Sequence, residues 1–393
     1  MKHLTTFHIG GSAQHFCRIS SLRDLHAALR FSAAHGIPMC VIGHGSNILV
    51  ADGGYNGLVA KMEIKGFEVV DCDSRSIRVK VGAGEVWDTF VATTVRRGWH
   101  GAENMALIPG TVGAAPINNI GAYGQEVGAI IDSVEAWDTQ TGRVVVLRHP
   151  DCRFGYRSSA FNCVNAQRYI ILHVTFQLSK GGWPEFTPAM RQRLTVLWQS
   201  RFGVAGSLAA RLISRRACLP GRCYRAASLR AARAAVLSLR TDGRLPDTRI
   251  HGNAGSFFKA ALLTQEQFKH FVETVSANFS PSRARELAIS SHSRCRDGLI
   301  KLAVTPLIRL CGLVDLRVGG AALWPASPAV VVNASGRAKA EDVMLLAKTI
   351  RQEIFARTGV IVPIEAQLLG FKQEELDYYL SVAPELQREI GAR

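Results

Sequence analysis

The chain has 393 residues, 47% of them apolar, and a formal net charge of +16, so it is long enough for two or three domains with a core in each. No apolar run approaches membrane-spanning length, and the opening MKHLTTFHIGG has no apolar secretion segment, so a cytoplasmic protein off the membrane is expected. Nine scattered cysteines without a C-x-x-C spacing argue for reduced thiols and against zinc or a disulfide framework, and no metal site is expected.

The excess charge is local. Residues 191–240 hold eleven arginines, from Arg191 to Arg240, and no Asp, Glu or Lys. The rest of the chain is only mildly basic, so the charge belongs to one segment. That segment is expected to be a solvated, partly disordered insertion, and nucleic acid is not the expected partner.

In chain order, residues 1–20 read as short β structure. Ser21 is placed to cap a helix, with Asp24 near its positive end, Leu25, Ala28 and Leu29 as the buried stripe, and Gly36 as the stop. Pro38 to Val50 reads as strand, tight turn, strand, and Asp52-Gly53-Gly54 turns the chain into Leu58–Ala60, which predicts a small βαββ unit. Ile77 to Val81 alternates as a strand. Gly82-Ala83-Gly84 then leads into a helix with Val86, Phe90 and Val95 apolar, ended by Gly98. Ser133 to Leu147 reads as a hairpin about Asp138–Gly142, and Tyr169 to Leu178 as a cleanly alternating strand. After an irregular start at Trp183, the runs 209–216 and 229–240 carry helical propensity. Further on, Leu313–Leu323, Ala329–Asn333 and Val360–Leu368 read as β structure. Glu341–Arg357 reads as an amphipathic helix with Val343, Leu346, Ala347, Ile350 and Ile354 on one face and Gly359 after its end.

Two glycine-rich stretches carry the chemistry. Gly101–Gly124 (GAENMALIPGTVGAAPINNIGAYG) packs five glycines and five alanines among apolar residues, with corners fixed at Pro109 and Pro116 and side-chain donors at Asn118 and Asn119. A linker would be rich in Ser and charge, so this stretch reads as a cradle for a large, flat, phosphate-bearing cofactor. Upstream, Gly43-His44-Gly45-Ser46-Asn47 reads as an anion-binding turn. It is not the dinucleotide fingerprint, because no helix follows and the third glycine is missing. Downstream, Gly252-Asn253-Ala254-Gly255-Ser256-Phe257-Phe258-Lys259 presents the Ser256 hydroxyl from a glycine turn. Cys152–Ser158 offers Arg157, and Glu365 stands in an otherwise apolar strand, where a carboxylate needs a partner or a proton.

Over about residues 5–182 and 244–370 these segments resemble the UDP-N-acetylenolpyruvoylglucosamine reductase (UDP-N-acetylmuramate dehydrogenase) family of vanillyl-alcohol-oxidase-like flavoproteins. The resemblance implies an α+β fold: a PCMH-type FAD-binding domain at 1–182, in two α+β subdomains about 1–66 and 67–182, a basic insertion or linker at 183–243, and an α+β substrate domain at 244–393. It implies FAD and NADPH as cofactors, a UDP-sugar substrate, a role in peptidoglycan precursor synthesis and a monomer. Its cofactor residues map onto Gly43, His44, Gly45, Ser46, Asn47, Pro109, Gly110, Gly113, Ala114, Asn118, Gly121, Ala122, Tyr123 and Gly124. Its catalytic residues map onto Arg157, Ser256 and Glu365, and Arg244, Asn253 and Lys259 are expected to bind substrate. By this resemblance, Arg157 and a protonated Glu365 stabilise the substrate carboxylate while Ser256 acts as general acid. The chain departs from the pattern at Ala260-Ala261 (Asn-Pro in the family), at Val304–Arg309, where Pro306 is expected to disfavour a helix, and in lacking the tyrosine-bearing substrate loop. An FAD-binding paralogue without the activity, and a basic binding protein using residues 191–240, are the alternatives.

Overall fold

The computed structural model describes residues 1–162, 168–181, 184–200, 222–280, 292–294 and 298–382. Strand β1 (Ala13–Ile19) leads into helix α1 (Leu22–Ala34), whose first turn is closed by Ser21 Oγ accepting from the Asp24 amide at 3.2 Å. Leu25 and Ala28 are buried, Leu29 is half-buried beside them, and Gly36 takes φ 61° after the helix. Strand β2 (Met39–Ile42) pairs in parallel with β4 (Tyr55–Met62), giving a three-stranded sheet in the order β1-β4-β2.

The strand between them, β3 (Ile48–Val50), does not join this sheet, so the expected βαββ unit is made by β1, α1, β2 and β4. Strand β3 instead pairs in parallel with the last strand of the chain, Ile48 opposite Gln367 and Val50 opposite Leu369. All three β3 residues are buried, as suits a strand covered on both faces.

Contacts divide the chain into two compact units. One comprises Met1–Gln14, Gly45–Asn56 and Gly243–Arg393, and the other His15–His44 and Gly57–Asp242. This differs from the linear division expected: two short amino-terminal pieces go with the carboxy-terminal region, and residues 183–242 go with the first half.

The second of these units is centred on a five-stranded antiparallel sheet built from β5 (Phe67–Cys72), β6 (Ser76–Gly82), β7 (Ile131–Asp138), β8 (Arg143–Arg148) and β9 (Tyr169–Ser179), in the order β8-β7-β9-β6-β5. The alternating apolar residues of β9 explain its central place. Helix α2 (Trp87–Arg96) packs against it, with Phe90 stacked on Phe176 at 4.4 Å between ring centroids.

The Arg-rich segment is not a solvated insertion where the structure describes it. Helical residues 188–200 (α3) and helix α4 (Arg222–Thr241) bury Met190, Leu194, Leu229, Ala232, Ala235 and Val236 in the same core as Trp87 and Phe176. The run 209–216 lies outside the described residues.

The other unit holds β10 (Gly252–Ser256), β11 (Ala261–Leu263), α5 (Gln265–Asn278), β12 (Ile300–Leu302), α6 (Val304–Leu310), β13 (Ala321–Leu323), β14 (Val330–Asn333), α7 (Ala340–Thr358) and β15 (Gln367–Leu369). Helix α7 is buried along the predicted face: Val343, Leu346, Ala347, Ile350 and Ile354 are all fully covered, and Gly359 follows at φ 70°. Its first amides, Ala340 and Glu341, donate to the two oxygens of Asp52 at 2.8 and 3.0 Å, a cap from 288 residues upstream. Pro306 sits in the first turn of α6, where an amide has no intrahelical partner, so it does not break the helix, and Leu307 and Ile308 are buried after it. Among the described residues no helix is long and apolar enough to cross a membrane.

Candidate active site

The two glycine-rich stretches meet. A Cβ on Gly43 would lie 2.6 Å from Thr111 Oγ1, so the turn after β2 abuts the cradle only because residue 43 is glycine. Gly113 is fixed in the same way, with a Cβ there 2.5 Å from the Ala83 methyl. The cradle's amides are largely committed to the protein itself. Val112 donates to Glu85 O and Gly113 to Ala83 O, both at 2.8 Å, and Ala114 donates to Thr111 O at 3.1 Å. Gly113 and Ala114 therefore offer close backbone approach and no uncommitted amide. The first turn differs: among the described residues the amides of His44 and Gly45 donate to no backbone carbonyl, and Gly45 takes φ 62°, the arrangement an anion-binding turn requires. Burial first, and then Lys61 and Lys65, lower the pKa of His44, which keeps its ring neutral at pH 7.

Backbone strain gathers around this cradle. Leu107, Asn119, Tyr123 and Arg157 all take positive φ (57°, 40°, 48° and 50°), a region non-glycine residues rarely occupy. Side chains hold them there. Buried Asn119 donates to Gly155 O (2.9 Å) and Glu126 Oε2 (3.1 Å) and accepts from the Gly128 amide (2.8 Å). Asn162 donates to both Asn118 Oδ1 (2.7 Å) and Arg157 O (3.0 Å), and Ser159 Oγ donates to Ile117 O at 2.6 Å. The turn carrying half-buried Arg157 is thus tied directly to the cradle.

Sequence reasoning missed Glu103 and Asn104, whose signal was a polar pair inside an apolar run. Glu103 is 1% exposed and accepts from the Gly101 amide (2.7 Å) and Gln125 Nε2 (3.1 Å), while burial pushes its pKa up. Asn104 Nδ2 donates to Tyr123 O and Glu185 O.

In the carboxy-terminal unit, Ser256 ends β10 exposed, between Gly255 at φ 70° and the buried Phe257 and Phe258. The next residues run against the segment that carries Glu365. The Glu365 amide donates to Phe257 O at 2.8 Å and the Lys259 amide to Pro363 O at 3.1 Å. Glu365 is half-buried and precedes the regular strand, which begins only at Gln367. Asn47 joins them, donating to Glu365 O at 3.2 Å and accepting from the Gln367 amide at 2.9 Å. Asn253, expected to contact substrate, is buried with its side chain committed to its own turn: Nδ2 to His251 O (2.8 Å) and Oδ1 from the Gly255 amide (2.9 Å). Lys259 is half-buried and Arg244 exposed. The structure brings Ser256, Glu365 and Asn47 together in one unit and Arg157 onto the cradle in the other.

This pairing of a small-residue cradle with an anion-binding turn fits a flavin dinucleotide, and a family model described as "FAD binding domain" matches residues 13–148. The protein is a flavoprotein oxidoreductase with an α+β, PCMH-type cofactor fold. A second model, "UDP-N-acetylenolpyruvoylglucosamine reductase, C-terminal domain", matches residues 246–369. The chain is 37% identical to the UDP-N-acetylenolpyruvoylglucosamine reductase of Paraburkholderia phymatum, over 93% of this chain and 95% of that one. It is 33% identical to the reductase of Escherichia coli, over 95% and 96%. The crystal structure of the Thermus caldophilus reductase superposes with a TM-score of 0.60 at 20% identity, over 94% of this chain and 96% of that one. The chain belongs to the UDP-N-acetylenolpyruvoylglucosamine reductase family.

Proposed function

We propose that the protein reduces UDP-N-acetylglucosamine enolpyruvate to UDP-N-acetylmuramate with NADPH, as a cytoplasmic, monomeric enzyme of peptidoglycan precursor synthesis. FAD, when bound, would supply the hydride chemistry between the nicotinamide and the enolpyruvyl substrate. The chain's own residues do the rest. Gly43 to Asn47 hold the pyrophosphate, and the small residues between Pro109 and Gly124 receive the ring. Negative charge develops on the substrate beside its carboxylate. Arg157 binds that carboxylate with its planar fork, and protonated Glu365 donates to the same group. The Ser256 hydroxyl protonates the carbon next to the carboxylate as general acid. Arg244 and Lys259 bind the substrate phosphates.

The observation that carries this reading is the pairing of 257–259 with 363–365, which sets Glu365 one residue from Ser256 although they lie 109 apart in sequence. Anaerobic mixing tests it. NADPH should bleach the visible flavin absorption of the FAD-loaded protein, and the UDP-sugar enolpyruvate should restore it. Bleaching without restoration would sink the reductase reading and leave a flavoprotein without this substrate.

A further inference from the structure

The arginines of α4 have a task close to the cradle. Leu107 is a non-glycine residue at φ 57°, two positions before Pro109, and both of its peptide groups are held. Its amide donates to Asp88 Oδ1 at 2.7 Å, and its carbonyl accepts from Arg240 Nε at 3.1 Å. Asp88 is held in turn by Arg233, whose two terminal nitrogens each donate to one carboxylate oxygen at 2.8 Å. Arg233 and Arg240 lie seven residues apart on α4, two turns along one face. The flanking residues are pinned by α2: Trp87 Nε1 donates to Met105 O (2.9 Å) and the Trp87 amide to Gly110 O (3.1 Å).

A β-unbranched side chain still disfavours the left-handed region, so Leu107 keeps this conformation only while its surroundings over-determine it. Burial raises the Asp88 pKa, but Arg233 and the Leu107 amide outweigh it and keep the carboxylate ionised. Burial likewise disfavours the charge on Arg240, while the Tyr123 phenol and Asp88 favour it.

We propose that Arg240 and Arg233, acting through Leu107 and Asp88, are positioning residues for the flavin: they lock Leu107 left-handed and so fix the course of Ile108 to Gly110 into the cradle. The inference rests on the reading of residues 109–124 as the FAD cradle. It assigns the basic helix to cofactor binding, a role separate from nucleic acid.

The test uses Arg240→Met, Leu107→Gly and the double variant, read by FAD dissociation constant, the visible spectrum of the bound flavin and thermal unfolding of the apoprotein. Glycine takes φ 57° without strain, so it needs no clamp. Arg240→Met should weaken FAD roughly tenfold, the equivalent of the left-handed penalty, and shift the flavin spectrum. Leu107→Gly should bind as wild type does, and the double variant should recover to within about threefold of Leu107→Gly alone. Wild-type affinity in Arg240→Met, or a double variant no better than Arg240→Met, would overturn the clamp. Absence of FAD binding by the wild-type protein would instead overturn the cradle reading, and the clamp with it. Should Arg240→Met not fold, Arg240→Lys, which keeps the charge but loses the Nε donor, carries the same comparison.

Discussion

Replacing Ser256 by alanine separates chemistry from structure. The side chain is exposed, and its strand is held by backbone pairing with Val330 and by the Phe257 amide on Ala329 O at 2.8 Å. Losing the hydroxyl opens no cavity and strands no buried group, so folding stability should stay within about 0.5 kcal/mol of wild type. Loss of a positioned general acid typically slows its step by ~10²–10⁴, a barrier increase of about 2.7–5.4 kcal/mol at 1.36 kcal/mol per decade. Rapid mixing should therefore give flavin reduction by NADPH within about twofold of wild type, and reoxidation by the UDP-sugar slower by about a hundredfold or more. Glu365→Gln, which keeps a donor, should slow reoxidation less than Glu365→Ala. If Ser256→Ala slows both half-reactions equally, the serine positions the flavin. If it slows neither, the proton comes from another group. Either result refutes the assignment.

Two further measurements address the scaffold. Asp52→Ala leaves the Ala340 and Glu341 amides of α7 without their charged acceptor and should cost about 1–2 kcal/mol by denaturant titration, with Asp52→Asn costing less. An unchanged midpoint would mean that another group caps the helix. Burial pushes the Cys40 thiol up to about 11 and the Cys152 thiol up to about 12, the latter with help from Asp151. A raised folded pKa means that this stability is fully present below the ordinary value of 9.0 and is lost as pH rises from there toward the folded values. A thiol reagent at mildly alkaline pH should therefore label exposed Cys72 in the native protein and spare Cys152, and labelling of Cys152 at the rate of Cys72 would contradict its burial.

Features legible in the sequence are those whose cause is local. Ser21 caps α1 because the cap and its amide are three residues apart, and the buried face of α7 follows from the 3.6-residue period alone. The glycine cradle is legible because small residues among apolar ones announce close approach. What escaped depends on partners far along the chain. Nothing in Ile48-Leu49-Val50 says that its partner is Gln367–Leu369 and not the adjacent strand. Asp52 looks like turn chemistry until α7 arrives 288 residues later. Asn253 looks like a ligand contact because the sequence cannot reveal that its amide satisfies its own turn. Pro306 looks disruptive until the helix start is known to within a residue, since three positions separate a tolerated proline from a breaking one.

The net charge is the hardest case, because a count of arginines contains no counter-ions. A run of eleven without an acid predicts repulsion and solvation only if each cation faces water. Among the described residues, Arg233 grips Asp88, Arg240 holds the Leu107 carbonyl, and Arg193 donates to Ser238 and lies 3.8 Å from Asp242. The alanines and leucines between them are what make this possible. Leu229, Ala232, Ala235, Val236 and Leu239 form one buried face, and small residues let the helix lie close enough for an arginine to reach a carboxylate on α2. Counterion release requires cations available to phosphates, so each arginine turned inward weakens the nucleic-acid alternative and strengthens a structural one. Arg193, Arg233 and Arg240 are thus basic because of what they hold, which a sum over the sequence cannot register.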